Sequence, residues 1–247
     1  MDTTMMHMPM TVQMILSHGR DVFPGSSVST FDGLHVTRTS YTTIADNAAR
    51  LASALTAIGV NTGDRVATFS WNNTAHMEAY LAIPSMGAIM HTVNIRLSAE
   101  HIAYVINHAG DEVVLLDNSL IDVFLPVIPL LKTVTKIIFI GGGEALHGFA
   151  CLNYEELLLS HQPMEDWPEL DETSAAAVCY TSGTTGNPKG VVYSHRTTFV
   201  HSLASRAADT FGISEHDRIL LLPAMFHANA WGLPYSGWFS GSDFILP

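Results

Sequence analysis

The feature that most constrains the fold is the alternation of helix-like and strand-like segments from residue 40 onward. Apolar residues recur at spacings of three and four through Ile44–Ile58, a period that predicts one buried helical face. Arg65–Ser70 follows as a strand candidate, and the order repeats with a helix expected after Ser98 and a buried strand at Val113–Asp117. This alternation predicts an α/β fold with layered, mainly parallel sheets flanked by helices.

An acidic, proline-containing segment, Glu165–Glu172, is the best candidate for a boundary along the chain. We therefore predict a first α/β subdomain over residues 1–170 and the beginning of a second over residues 171–247. The second part opens with a strand candidate, Ala175–Tyr180, and Ile219–Leu222 predicts another buried strand. Because the chain ends in an apolar run typical of an unfinished strand, we expect this second subdomain to be truncated.

Composition excludes several classes of protein. Hydrophobic residues make up 47% of the chain and charged residues 14%. This composition excludes a disordered chain, because there is ample apolar surface to offset the entropy cost of ordering it. The net charge of −12 disfavours a nucleic-acid partner, because phosphate backbones select for clustered lysine and arginine. Two cysteines, Cys151 and Cys179, are too few for a disulfide framework, which favours a reducing cytoplasmic location. The uncharged stretch Ile219–Ser242 contains prolines and polar residues, so we expect no transmembrane segment.

The most informative segment is the glycine-rich loop, which we define as Thr181–Gly190. It follows a predicted strand and combines three glycines, several hydroxyl side chains and Lys189. Glycines allow the backbone to approach a ligand closely, and successive amides of such a loop can surround an anion. Ligands of open α/β sheets bind at the carboxyl ends of strands. The loop therefore predicts a polyphosphate site rather than a flexible linker.

Other phosphate and nucleophile motifs fit this loop poorly. A Walker A loop places Ser or Thr directly after its lysine, whereas Pro188 precedes Lys189 here and Gly190 follows it. The nucleophile elbow of serine hydrolases needs a glycine where this chain has Tyr180. The histidines show no zinc-binding spacing. We therefore expect neither of those enzyme classes and no zinc site.

The segment Tyr180–Val191 resembles the signature of the adenylate-forming (ANL) superfamily. The segments Val192–Arg196 and Met225–Tyr235 are similar to medium- and long-chain fatty acyl-CoA synthetases in particular. Upstream segments that match the same subgroup are Gly63–Ala67, Trp71-Asn72, Gly87-Ala88 and His91–Asn94. The resemblance runs from about residue 40 to the end and corresponds to the N-terminal portion of such enzymes.

This resemblance implies an ATP-dependent fatty acid–CoA ligase. Such enzymes use ATP with Mg²⁺ to form an acyl-adenylate and then transfer the acyl group to coenzyme A. It implies that the hydroxyl of Thr181 contacts Mg²⁺ and that Lys189 contacts phosphate. The residues that it places around the β- and γ-phosphates are Ser182, Gly183, Thr184, Thr185 and Gly186. It places His227 near the reacting carboxylate, as the one candidate for catalysis, Ala228 at the acyl-adenylate and Trp231 at the gate of the acyl tunnel.

Members of this superfamily are about twice as long as this chain, and their later segments supply an acidic Mg²⁺ ligand, the adenine and ribose contacts and a mobile domain with a catalytic lysine. The resemblance therefore implies that the chain alone is catalytically inactive. A second interpretation is a non-catalytic binding or dimerisation module, since relatives form homodimers through the N-terminal region. Within the enzyme class, a ligase for aryl or short-chain acids is the alternative.

Overall fold

The computed structural model describes residues 3–5, 7–181 and 187–247. Its helices are α1 (Val12–Val22), α2 (Tyr41–Ala57), α3 (Thr74–Ser85), α4 (Ala99–Ala109), α5 (Ile121–Phe124), α6 (Tyr154–Ser160), α7 (His195–Ser205) and α8 (Leu233–Ser240). Its strands are β1 (Ser27–Phe31), β2 (Val36–Ser40), β3 (Arg65–Phe69), β4 (Ile89–Thr92), β5 (Val113–Asp117), β6 (Lys136–Ile140), β7 (Ala150–Asn153), β8 (Ala175–Thr181), β9 (Lys189–Ser194), β10 (Arg218–Leu220) and β11 (Asp243–Leu246).

The strands form two sheets. The larger sheet has seven strands in the order β7-β6-β5-β3-β4-β8-β9, and every neighbouring pair is parallel except β8 and β9. The smaller sheet has the order β10-β11-β1-β2, in which only β1 and β2 are antiparallel. The prediction of an α/β fold with mainly parallel sheets flanked by helices is therefore confirmed.

Both sheets contain strands from either side of residue 170. In the larger sheet β8 pairs with β4, and in the smaller sheet β11 pairs with β1. The division at residue 170 thus follows the order of the chain and not the membership of the sheets, and it stays a prediction.

The prediction of a buried strand at Ile219–Leu222 is wrong. Only Arg218–Leu220 of that region is a strand, and it lies at the edge of the smaller sheet. Leu220 and Leu222 are 51% and 69% exposed, whereas Leu221 is buried. An apolar run predicts a strand without saying whether it lies in the middle of a sheet or at its edge. That distinction depends on the order of strands in space.

Local signals determine where the helices begin and end. The Ser98 side chain accepts a hydrogen bond from the His101 amide at the start of α4, and Gly110 ends that helix in a left-handed conformation (φ +73°). Ser40 caps α2 in the same way, accepting from the Thr43 amide. These side chains satisfy amides that have no partner within the first helical turn.

The helices cover both faces of the larger sheet and enclose two hydrophobic clusters. One cluster joins α1, α2, α3 and α8 to the sheets, and the other lies under α4 and α5. Trp238 of α8 stacks on Tyr41 of α2 with ring centroids 3.9 Å apart, and both side chains are fully buried. Within the described ranges, no helix is long and apolar enough to cross a membrane.

A buried carboxyl group lies where α2, α3 and α6 meet. Glu78 of α3 accepts hydrogen bonds from the Asn47 amide (2.7 Å) and from the Tyr154 hydroxyl. Burial raises the pKa of Glu78 to about 7, and the two hydrogen bonds act in the opposite direction. Near pH 7 this carboxyl therefore titrates inside the folded protein, whereas it is ionised in the unfolded chain.

Replacing Glu78 with glutamine should raise the free energy of unfolding at alkaline pH. Below about pH 4.5 the carboxyl is protonated in both states; between about 4.5 and 7 it ionises only in the unfolded chain, so its contribution to stability falls as pH rises. The full loss is at most about 3 kcal/mol. Urea unfolding at pH 4.5 and 8 should show a stabilising effect of Glu78→Gln that is larger at pH 8.

The exposed Glu144 provides the matched control, because Glu144→Gln removes the same charge outside the core. Its effect on the free energy of unfolding should be small at both pH values. A Glu78→Gln effect that is the same at pH 4.5 and pH 8 would contradict the assignment.

Candidate active site

The candidate site lies at the carboxyl ends of β3, β4 and β8, which are neighbouring parallel strands of the larger sheet. Asn72 follows β3, Thr92 is the last residue of β4, and Thr181 is the last residue of β8. Because parallel strands end at the same edge of a sheet, these residues come together although they are far apart along the chain.

The glycine-rich loop connects β8 to β9. The two strands are antiparallel, and the ladder pairs Tyr180 with Gly190 and Thr181 with Lys189. Both Thr181 and Lys189 are exposed. The predicted phosphate contacts Ser182, Gly183, Thr184, Thr185 and Gly186 lie outside the described residues. The structure therefore brings the two ends of the loop together at the candidate site.

Tyr180 anchors the strand that enters the loop. Its hydroxyl lies 2.7 Å from Nδ1 of His108 on α4, and its ring packs against His91 of β4. His91 in turn lies 2.6 Å from the Asp111 carboxylate, and both side chains are fully buried. Burial raises the pKa of Tyr180 to about 12, so the hydroxyl stays neutral. This network holds Tyr180, one residue before Thr181, against α4.

Asn72 holds a second segment, residues 221–227, over the ends of the strands. Its Nδ2 donates to the carbonyls of Leu221 (2.9 Å) and Pro223 (3.0 Å), and its Oδ1 accepts from the Met225 amide (2.7 Å). The neighbouring Trp71 packs edge-on against Phe226. Asn72 thus links β3 to the segment that carries His227.

The left-handed turn, which we define as Ala228–Gly232, follows this segment. Its φ angles are +44°, +49°, +47°, +57° and +72° in chain order. Left-handed backbone costs a residue with a side chain about 1–2 kcal/mol, so this turn needs support from its surroundings. At Gly232 a side chain is disfavoured both by the left-handed backbone and by the His201 ring, from which a Cβ would lie 2.8 Å.

A cavity of about 480 Å³ lies beside the left-handed turn. Its walls come from α7, α8, β9 and the turn, and the residues that line it are Tyr193, Thr197, Thr198, His201, Ala228, Asn229, Trp231, Gly232 and Tyr235. Ala228 and Trp231, which sequence analysis assigns to the acyl site, both line the cavity. His227 is exposed and is not among the lining residues. The proposed roles of these three residues stay predictions.

The residues that position the site give no local signal in the sequence. Asn72 and Thr92 belong to segments noted only for their resemblance, and Asn229, Tyr193 and His201 received no role. Asparagine is the non-glycine residue best suited to a left-handed backbone, but that preference points to a turn and not to a partner. The partners come from distant parts of the chain and appear only once the sheet is assembled.

Thr181 is the described residue that bears on the Mg²⁺ prediction. Its exposed hydroxyl provides one oxygen donor, the kind of ligand that Mg²⁺ takes together with phosphate and water. Across residues 3–5, 7–181 and 187–247, no group of three or more histidine, cysteine, aspartate or glutamate side chains is placed to hold a metal ion.

Known proteins that are similar to this chain include CoA ligases and a fatty acyl CoA synthetase. The chain is 39% identical to 3-methylmercaptopropionyl-CoA ligase of Ruegeria pomeroyi over 98% of its length and 46% of the relative. It is 43% identical to medium-chain-fatty-acid–CoA ligase of Ectopseudomonas oleovorans over 86% of its length and 39% of the relative. The solved structure of a Mycobacterium tuberculosis fatty acyl CoA synthetase superposes with a TM-score of 0.75 at 26% identity, covering 96% of this chain and 44% of that one.

The chain therefore spans less than half of the length of these relatives. The sequence profile of the AMP-binding enzymes matches residues 21–247, which include both sheets and the candidate site. The chain belongs to the AMP-binding enzyme family.

Proposed function

We propose that this chain is the N-terminal part of an ATP-dependent fatty acid–CoA ligase. The observation that carries the proposal is the position of the cavity beside the strand that enters the glycine-rich loop. Tyr193 of β9 and Ala228 of the left-handed turn line the cavity, and Cys179 of β8 lies 3.8 Å from the Tyr193 hydroxyl. A carboxylate bound in the cavity and a nucleotide bound at the loop would meet at the same edge of the sheet.

In the first step, a carboxylate oxygen attacks the α-phosphorus of ATP and pyrophosphate leaves. Both reactants are anions, so charge on the phosphates must be neutralised before they can approach. Thr181 and Lys189 are paired near the two ends of the glycine-rich loop, and both are exposed and can bind phosphate there. Mg²⁺, when bound, supplies further neutralisation of phosphate charge. In the second step the thiolate of coenzyme A attacks the acyl carbonyl and AMP leaves.

The cavity suits the apolar part of an acid. Tyr235 and Trp231 provide aromatic walls, while Thr197, Thr198 and His201 add polar groups along α7. Each methylene buried in such a cavity contributes about 0.8 kcal/mol to binding. We propose fatty acids as the substrate class and keep aryl and short-chain acids as the alternative. The R. pomeroyi relative, named for a short sulfur-containing acid, favours including that class in the test.

The function is tested by acid-dependent release of pyrophosphate from ATP. The acids should include short, medium and long saturated chains and an aryl acid, with coenzyme A present and absent. We expect activity from the protein extended to the length of its relatives and none from residues 1–247 alone. Absence of acid-dependent pyrophosphate release from the extended protein with every acid would reject the ligase and favour a non-catalytic dimerisation module. A reducing cytoplasmic location stays a prediction.

Replacing Trp231 with alanine should change the preference for chain length. The side chain is 60% exposed at the wall of the cavity, so its removal opens the entrance without leaving a hole in the core. We expect the ratio of kcat/KM for a long acid to that for a short acid to change by about tenfold, the scale of one or two methylene contacts. The KM for ATP should stay unchanged.

Phe211→Ala is the matched control, because Phe211 is an aromatic side chain of the same exposure (59%) that does not line the cavity. Its chain-length profile should equal that of the wild type. An unchanged profile in Trp231→Ala would remove Trp231 from the acyl site.

A further inference from the structure

The left-handed turn is held by a side chain of the larger sheet. Thr92 of β4 and Cys179 of β8 are direct partners in the parallel ladder, so their side chains point to the same face. The Thr92 hydroxyl donates to Oδ1 of Asn229 at 3.0 Å, and both residues are buried. Cys179 lies 3.8 Å from the hydroxyl of Tyr193, which lines the cavity beside the turn.

We propose that Thr92 and Asn229 are positioning residues that hold Trp231 at the wall of the cavity and thereby set the selectivity among acids. This inference rests on the proposed function. Asn229 stands two residues before Trp231, in the middle of a backbone that costs free energy at each residue. A hydrogen bond to a rigid strand can hold such a turn in one conformation, because it ties the strained backbone to the sheet.

This hydrogen bond matters because, without it, the turn can adopt other conformations. Without the Thr92 hydroxyl, Oδ1 of Asn229 is buried without its partner, and a buried polar group without a partner favours a conformation that exposes it. Such a conformation moves Trp231, which is already 60% exposed and has room to turn. The acid would then meet a different cavity wall while the glycine-rich loop stays in place.

The chain contains a matched control for this hydroxyl. Thr68 of β3 is the ladder partner of Thr92 on the other side, is equally buried, and also makes one side-chain hydrogen bond. Its partner is Nε2 of His76 on α3 and not the left-handed turn. Thr68→Val and Thr92→Val therefore remove the same group at the same depth, but only Thr92→Val releases Asn229. Thr92→Ser keeps the hydroxyl.

The first test does not depend on enzymatic activity. The chain is labelled with 5-fluorotryptophan, and the ¹⁹F resonance of Trp231 is assigned by its loss in Trp231→Phe. We expect this resonance to move or broaden in Thr92→Val and to keep its wild-type position in Thr92→Ser and Thr68→Val. A Trp231 resonance that Thr92→Val leaves unchanged would overturn the proposal.

The second test uses the protein extended to the length of its relatives and compares kcat/KM for hexanoate and dodecanoate. We expect the ratio to change about fivefold or more in Thr92→Val, as displacement of a positioned group by a fraction of an ångström can do. The ratio should be unchanged in Thr92→Ser and Thr68→Val, and the KM for ATP should be unchanged in all three. Equal effects of Thr68→Val and Thr92→Val would overturn the proposal by showing a general loss of stability. Wild-type inactivity toward every acid would instead reject the proposed function.

Discussion

Replacing Asn72 with alanine should unfold the candidate site and lower the free energy of unfolding by about 3 kcal/mol or more. Three backbone partners lose their hydrogen bonds, and each unpaired buried group costs about 1–3 kcal/mol. The three partners are the carbonyls of Leu221 and Pro223 and the amide of Met225. They belong to the segment that leads into the left-handed turn. Urea unfolding measures the loss, and hydrogen exchange over residues 221–232 should show faster exchange than in the wild type.

Asn73→Ala is the matched control, since it removes the same side chain from the next residue. Asn73 caps α3 by accepting from the His76 amide (2.8 Å) and donates to Asp117 (2.9 Å). The loss of a helix cap costs about 1 kcal/mol, and exchange over residues 221–232 should stay unchanged. Asn72→Asp should be at least as destabilising as Asn72→Ala, because a carboxylate would face two carbonyl oxygens. Wild-type exchange of the segment in Asn72→Ala would contradict the role of Asn72.

Replacing Lys189 with alanine should weaken the binding of ATP with magnesium by about tenfold to a hundredfold, which corresponds to the loss of one hydrogen bond to a charged group. Lys189 is exposed and paired through its backbone with Thr181, so the side chain can be removed without disturbing the strand. We expect the free energy of unfolding to stay unchanged. In the protein extended to the length of its relatives, calorimetric titration of ATP and magnesium measures the affinity, and acid-dependent pyrophosphate release at subsaturating ATP measures its consequence.

Lys132→Ala provides the control for net charge. Lys132 is also exposed, but it precedes β6 and so lies toward the amino ends of the parallel strands, opposite the edge that carries the candidate site. Its removal changes the charge of the protein equally and should leave ATP affinity near the wild-type value. Equal losses in the two variants would show that only the overall charge matters, and an unchanged affinity in Lys189→Ala would remove its phosphate role.

These two predictions concern the two halves of the site. Lys189 concerns the nucleotide, which the resemblance to adenylate-forming enzymes already implies. Asn72 concerns the segment that leads into the left-handed turn beside the cavity, and its role follows from hydrogen bonds between residues about 150 positions apart. The proposed ligase activity would depend on both, since the reacting carboxylate and the phosphate would have to meet at one edge of the larger sheet.

From residue 40 onward, much of the order of helices and strands was predictable because local periodicity and capping residues mark many of the elements. The face of α2 through Ile44–Ile58, the Ser98 cap of α4 and the strand β5 all follow from neighbouring residues in the chain. The prediction of a phosphate site at the glycine-rich loop has a related basis, because the chemistry behind it is contained in one short segment, and it stays a prediction. Where residues adjacent along the chain determine an element, the sequence is sufficient to predict it.

Tertiary structure alone decided the rest, because strand order and long-range hydrogen bonds have no local signal. It placed β10 at an exposed edge and brought strands from both sides of residue 170 into each sheet. It gave Asn72 and Thr92 their partners in segments far along the chain. Four consecutive residues with side chains adopt left-handed backbone at Ala228–Trp231, against their own preference, because the assembled sheet beneath them supplies the contacts that compensate.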